Sequence, residues 1–124
     1  MSVRGTAPTI LVVDDEHALA DMLAIILSRS GYSSSAAYSA TEALTALQTH
    51  TDLIISDVMM PDIDGVEFAM RACKLQPGIK ILLISGHAGT QDIVEASGLP
   101  LDLLAKPFTP EELLARVAVA LAGS

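Results

Sequence analysis

The chain has little material for cross-linking, for tracking nucleic acid or for crossing a membrane. One cysteine, Cys73, is present, so no internal disulfide forms and nothing opposes a reducing compartment. Its helical spacing from Val66, Ala69 and Met70 marks it as a small buried core residue. Tryptophan is absent, and there are only two Phe and two Tyr. Cations are scarce: seven Lys and Arg face fifteen Asp and Glu, a formal net charge of −8. That sign opposes a phosphate-tracking surface, so direct nucleic-acid binding is not expected. Although 51% of residues are hydrophobic, they come in runs of about five, far short of the ~20 that span a bilayer. The N-terminal "MSVRGTAPT" also lacks the apolar stretch of a signal peptide. A cytoplasmic protein without membrane association is expected.

At 124 residues the chain suits one domain with a real core. Residues 1–7 read as a loose tail and 8–124 as the domain, without internal repeat or linker. Apolar runs at 9–13, 33–37, 52–56, 80–84 and 101–105 alternate with amphipathic segments. Leu19, Met22, Leu23 and Ile26 recur at helical period until Gly31. Ser39 with Glu42, and Asp64 with Glu67, are capping-box pairs that open two further helices. Val66, Ala69, Met70 and Cys73 give the third helix its apolar stripe. A short fourth helix spans about Thr90 to Ala96. Thr109, Pro110 and Glu112 start the fifth, whose stripe is Leu113, Leu114, Val117 and Leu121.

Near-continuous apolar strands separated by helices imply an α/β fold with a doubly wound parallel sheet covered on both faces. With right-handed crossovers, the expected architecture is a five-stranded (βα)5, flavodoxin-like sheet of order 2-1-3-4-5. Ligands bind such sheets at the carboxyl ends of strands 1 and 3, where the order reverses.

Those ends carry the chemistry. Strand 1 runs into Asp14 and Asp15, strand 3 into Asp57, strand 4 into Ser85 and strand 5 into Lys106. Clustered carboxylates suit a hard cation such as Mg²⁺, which takes one or two carboxylates and leaves positions for water and phosphate. A carboxylate is also a nucleophile toward phosphorus, and phosphoryl transfer asks mainly for positioning and charge neutralisation. Lys106 and Ser85 would meet phosphoryl oxygens with an ammonium and a hydroxyl. Spacing alone does not choose the nucleophile, but Asp57 stands alone at the central strand end and is favoured.

The motifs "VVDDE", "DVMMPDIDG", "LLISGH" and "LAKPF", in this order, resemble the receiver domain of two-component response regulators over about residues 8–122. The resemblance implies Asp57 as phosphoacceptor and Mg²⁺ held by Asp15 directly, Asp14 through water, Asp57 and the Met59 backbone carbonyl. It also implies Ser85 as switch hydroxyl, Lys106 as phosphate partner and a cis Lys106–Pro107 peptide. On this reading the chain is not an enzyme toward an external substrate; it catalyses only its own phosphorylation and dephosphorylation. A histidine kinase or phosphotransfer protein would be the donor and a downstream protein the effector. A homodimer through the helix 4, strand 5 and helix 5 face is a further expected partner. The start at Met1 and the stop after helix five fit a stand-alone, chemotaxis-type receiver.

Several neighbours of these residues carry less. Asp62 and Asp64 read as turn and capping residues, Glu16 as solvent-facing, and His87 as a loop residue at a position that influences phosphoryl lifetime in the family. One departure is clear: receivers usually carry Tyr or Phe three residues before the lysine, and here that position is Leu103. It favours, mildly, an alternative in which the fold serves as a phosphorylation-independent interaction or dimerisation module. A Mg²⁺ phosphohydrolase would want a DxD on strand 1 and a cap over the site, and the chain has neither.

Overall fold

A computed structural model describes residues 7–86, 89–99 and 101–122. The expected tail falls almost wholly outside these residues, as does His87. The elements are β1 (Thr9–Val13), α1 (His17–Arg29), β2 (Ser33–Ala37), α2 (Ala40–Ala46), β3 (Leu53–Asp57), α3 (Gly65–Leu75), β4 (Lys80–Ser85), α4 (Thr90–Ser97), β5 (Asp102–Ala105) and α5 (Pro110–Ala122). All strand pairings are parallel, in the order β2-β1-β3-β4-β5. The doubly wound topology expected from the alternating pattern is the one the chain adopts.

Alternate residues of each central strand feed two separate apolar layers, as a period of two requires. Ile10, Val12, Leu53, Ile55, Leu82 and Ile84 pack against Leu23 and Leu27 of α1 and Leu113 and Val117 of α5. Leu11, Val13, Ile54, Ile81 and Leu83 pack against Ala40 and Ala43 of α2, Phe68 and Ala72 of α3 and Val94 of α4. β2, whose sequence is SSSAA, is an edge strand with exposed serines. Polar residues there discourage pairing with another chain.

The helix ends follow their capping residues. Ser39 Oγ accepts the Glu42 N–H, Asp64 accepts the Glu67 N–H and Thr109 Oγ1 accepts the Glu112 N–H. The stripe read for α5 holds at Leu113 and Val117, whereas those of α1 and α3 hold only in part, at Leu23 and at Ala69. In α3 the inward face is Gly65, Phe68, Ala69 and Ala72. Met70 is exposed and Cys73 is only half-buried, so the expectation of a fully buried thiol is corrected. Two interleaved i, i+3, i+4 patterns compete in that segment, and the one carrying bulky Phe68 is buried. In α1, likewise, Ala20, Leu23 and Leu27 face the sheet while Met22 is exposed.

Candidate functional site

The β1–β3 register pairs Val13 with Ser56, and one further step along both strands sets Asp14 beside Asp57. The Asp14 N–H donates to the Ala37 carbonyl of β2, which holds its backbone in line with the sheet. Its Oδ1 accepts the Glu16 N–H at 2.8 Å. Asp14 is thus a buried carboxylate fixed by its own chain, whereas Asp15 is exposed. Asp14, Asp15 and Asp57 each bring an oxygen into a cluster whose members all lie within 4.8 Å of one another. Burial pushes the Asp14 carboxyl above its ordinary range, against the Glu16 N–H, and the nearby Asp57 and Asp15 charges push the same way.

Asp57 is the last residue of β3. Its Oδ1 accepts the Met59 N–H at 3.0 Å, and its Oδ2 faces Lys106 Nζ at 3.4 Å. Lys106 is carried there by β5, and its N–H donates to the Ser85 carbonyl at 2.8 Å. Ser85 ends β4, paired with Ala105, one step beyond the Asp57–Ile84 pair. The Lys106–Pro107 peptide is cis. Asp14, Asp15 and Asp57 are thus drawn together with the Lys106 ammonium beside Asp57, while Ser85 closes β4 and the Met59 side chain is exposed.

The residues fit a hard divalent cation. Three carboxylates crowd together, one of them buried, and the ammonium beside them, Lys106, makes its close ion pair with Asp57. A cation with oxygen preference would relieve the remaining repulsion.

Two neighbouring residues support the loop around the site. Asp62 does not join the carboxylate cluster; it accepts the Thr41 N–H at 3.0 Å and the Thr41 hydroxyl at 2.9 Å, at the start of α2. These bonds lower its pKa to about 2. Gly65 was not singled out by pattern, yet its N–H donates to the Val58 carbonyl at 2.7 Å and it lies hard against the Asp57 loop. The signal was its place at the end of "PDIDG", next to a helix cap. Glu16 precedes α1 and is exposed, as expected.

Leu103 is half-buried and packs with the α2–α3–α4 layer, while its carbonyl accepts from the Arg116 guanidinium at 2.9 Å. Ser85 finds a partner elsewhere: its Oγ lies 2.7 Å from Thr90 Oγ1, and both residues are buried. No helix among the described residues is long and apolar enough to cross a membrane.

Comparison with known proteins places these features in a family. The model of the response regulator receiver domain matches residues 10–118. The DNA-binding response regulator MtrA of Mycobacterium leprae is 38% identical over 111 residues, covering 87% of this chain and 48% of that protein. The alkaline phosphatase synthesis transcriptional regulatory protein PhoP of Bacillus subtilis is 38% identical over 119 residues, 93% of this chain and 49% of that protein. The chain thus spans about half the length of these curated relatives. A CheY-like receiver domain from Methanospirillum hungatei superposes with a TM-score of 0.85 at 31% identity, covering 94% of this chain and 95% of that one. The chemotaxis response regulator CheY4 of Vibrio cholerae gives 0.81 at 33% identity, covering 94% and 100%.

Proposed function

The chain belongs to the response regulator receiver domain family, and from that premise we propose that Asp57 accepts a phosphoryl group from a phosphohistidine donor in a Mg²⁺-dependent reaction. The observation that supports this most is the pairing of Asp57 with both Lys106 at 3.4 Å and the acid cluster within 4.8 Å. A carboxylate held between a fixed ammonium and a cation site can attack an anionic phosphorus centre that would otherwise repel it.

An Asp57 oxygen forms a P–O bond as the donor's P–N bond breaks, and the imidazole leaves with the electron pair. Asp14, Asp15, Asp57 and the Met59 carbonyl would hold Mg²⁺, which supplies charge neutralisation for the transferring group. Lys106 meets a phosphoryl oxygen with its ammonium, and the Ser85 hydroxyl donates to another. The Met59 N–H keeps the Asp57 carboxylate in one orientation through Oδ1. The Glu16 N–H does the same for Asp14. Residues 8–124 act as one unit in this reading, in the cytoplasm, with a histidine kinase or phosphotransfer protein as donor and a protein effector downstream. The added charge biases a two-state equilibrium of the strand 4 and strand 5 ends.

Acetyl phosphate with Mg²⁺ tests the assignment. Intact mass should rise by about 80 Da, one phosphoryl group, only when Mg²⁺ is present and not in Asp57→Asn. Equal labelling of the Asn variant overturns the choice of nucleophile.

A further inference from the structure

Phosphorylation at a strand end matters only if something carries it to the surface, and the β5 residue paired with Ser85 is Ala105. Leu103 and Ala105 are aliphatic, and Leu103 is committed to the apolar layer beneath α2, α3 and α4. A side chain that meets Ser85 is on α4. From the 2.7 Å contact between Ser85 Oγ and Thr90 Oγ1, we infer that Thr90 is the positioning residue through which the Asp57 site moves α4. The inference rests on the phosphoacceptor reading of Asp57.

Thr90 is the first residue of α4, and it is 4% exposed. Of the eight residues of this helix only Thr90 and Val94 are buried. Ile93, beside Val94, is more than half exposed. The helix is therefore anchored by one apolar side chain and one hydroxyl, and that hydroxyl touches the residue poised to meet the phosphoryl group. Both ends of α4 are bounded by glycines in the left-handed region, Gly89 at φ 86° and Gly98 at φ 71°. Such residues are free to alter the backbone direction at either end without a Cβ penalty. Gly89 contributes no side-chain cap to the helix.

The proton count explains the coupling. A hydroxyl has one proton to donate and two lone pairs. Before phosphorylation the Ser85–Thr90 bond can run in either direction. Once a phosphoryl oxygen accepts the Ser85 hydrogen, the Ser85–Thr90 contact persists only with Thr90 as its donor. Because both side chains are buried, water does not readily substitute at the contact, and a bond in a chain of this kind polarises its neighbour. A movement of Ser85 toward Asp57 then draws the first turn of α4 with it, or breaks the contact that fixes it. In either case α4 responds, and with it the surface that carries Ile93.

The test follows the amide resonances of α4 in the full chain with and without beryllofluoride, a phosphoryl mimic, in the presence of Mg²⁺. In the native chain the resonances of residues 91–97 shift on adding the mimic, and so does the Thr90 methyl. Thr90→Val, which replaces the hydroxyl with a methyl of similar size, loses the α4 shifts even in protein that acetyl phosphate has labelled to completion. Thr90→Ser keeps the hydroxyl and restores the shifts, which a merely structural contribution of the methyl would not do. Full α4 shifts in a labelled Thr90→Val chain overturn the inference and leave the phosphoacceptor reading intact. An unmoved Thr90 methyl in native chain that acetyl phosphate labels overturns it as well, independently of how any variant folds. If the native chain takes no label, the phosphoacceptor reading fails and the inference falls with it.

Discussion

Gly65 packs against Val58 so closely that a Cβ built on it would lie 2.7 Å from the Val58 Cα and 2.9 Å from the Asp57 carbonyl oxygen. The three nearest atoms it would meet are all backbone, and these cannot turn away to admit a methyl. This contact brings the start of α3 against the chain leaving β3, and so sets the direction in which Asp57 is presented. Gly65→Ala should cost roughly 2 kcal/mol of stability, the usual scale for overpacking, seen as a lower urea midpoint. It should also slow labelling by acetyl phosphate in protein that is still folded. Unchanged midpoint and labelling would mean that the loop yields at no cost.

Much of the fold was legible because its signals are local. Ser39, Asp64 and Thr109 each cap a helix through an N–H three residues away, and such bonds are written in adjacent residues. The sheet order followed from apolar runs alternating with helices, and the order in turn gathered Asp14, Asp57 and Lys106. What was not legible lies in contacts between distant segments. Asp62 reads as a turn residue of its own loop, but its carboxylate serves a helix start twenty-one residues earlier. The inward faces of α1 and α3 were only partly legible, Met22 and Met70 being exposed, because neighbouring stripes in an apolar-rich helix satisfy the same periodicity. Thr90 gave no signal as a partner of Ser85, since the bond depends on how the intervening chain turns back.

Asp62 ties the loop after β3 to α2 by accepting the Thr41 and Ala40 N–H groups, while Ser39 takes that of Glu42. Its folded pKa of about 2 lies below the ordinary 3.8. The unfolded chain therefore takes up a proton first as pH falls, and the stabilisation, complete above the ordinary value, disappears as pH drops toward about 2. The site is exposed, so the contribution is small. Asp62→Ala should cost about 0.5–1 kcal/mol near neutral pH, the lower half of the helix-cap range. Denaturation at neutral pH and near pH 2 checks this: the gap between native and variant should close at the acid end. A constant gap would show that the loss is not electrostatic.

Asp14 is buried beside two like charges, and its carboxyl is pushed upward chiefly by that burial. Asp14→Asn keeps an oxygen that can accept the Glu16 N–H and removes a charge. The metal-free variant should be more stable than the native protein by about 1 kcal/mol, a fraction of the Coulomb repulsion at such distances because Lys106 and solvent offset part of it. Millimolar Mg²⁺ should raise the melting temperature of the native chain and leave that of the variant nearly unchanged. A variant that melts lower than the native chain without metal would show that the carboxylate stabilises the site by itself.

A groove of about 420 Å³ runs from Lys106 along α1, lined almost wholly by apolar groups of Leu19, Met22, Leu23, Ile26, Pro107 and Phe108. Met22 is half exposed there and contributes nothing to the buried face of α1. Because the groove opens at the residue paired with Asp57, a protein that delivers a phosphoryl group from histidine would cover it while its phosphorus reaches the carboxylate. A small donor needs no such surface. Met22→Lys should therefore slow transfer from a phosphorylated donor protein by about tenfold, as loss of an apolar anchor in a protein interface does, and leave labelling by acetyl phosphate unaltered. Parallel time courses with the two donors make the comparison. Equal slowing with both would place the effect in the chemistry at Asp57 instead of in docking, and no slowing with either would remove this groove from the path of the donor.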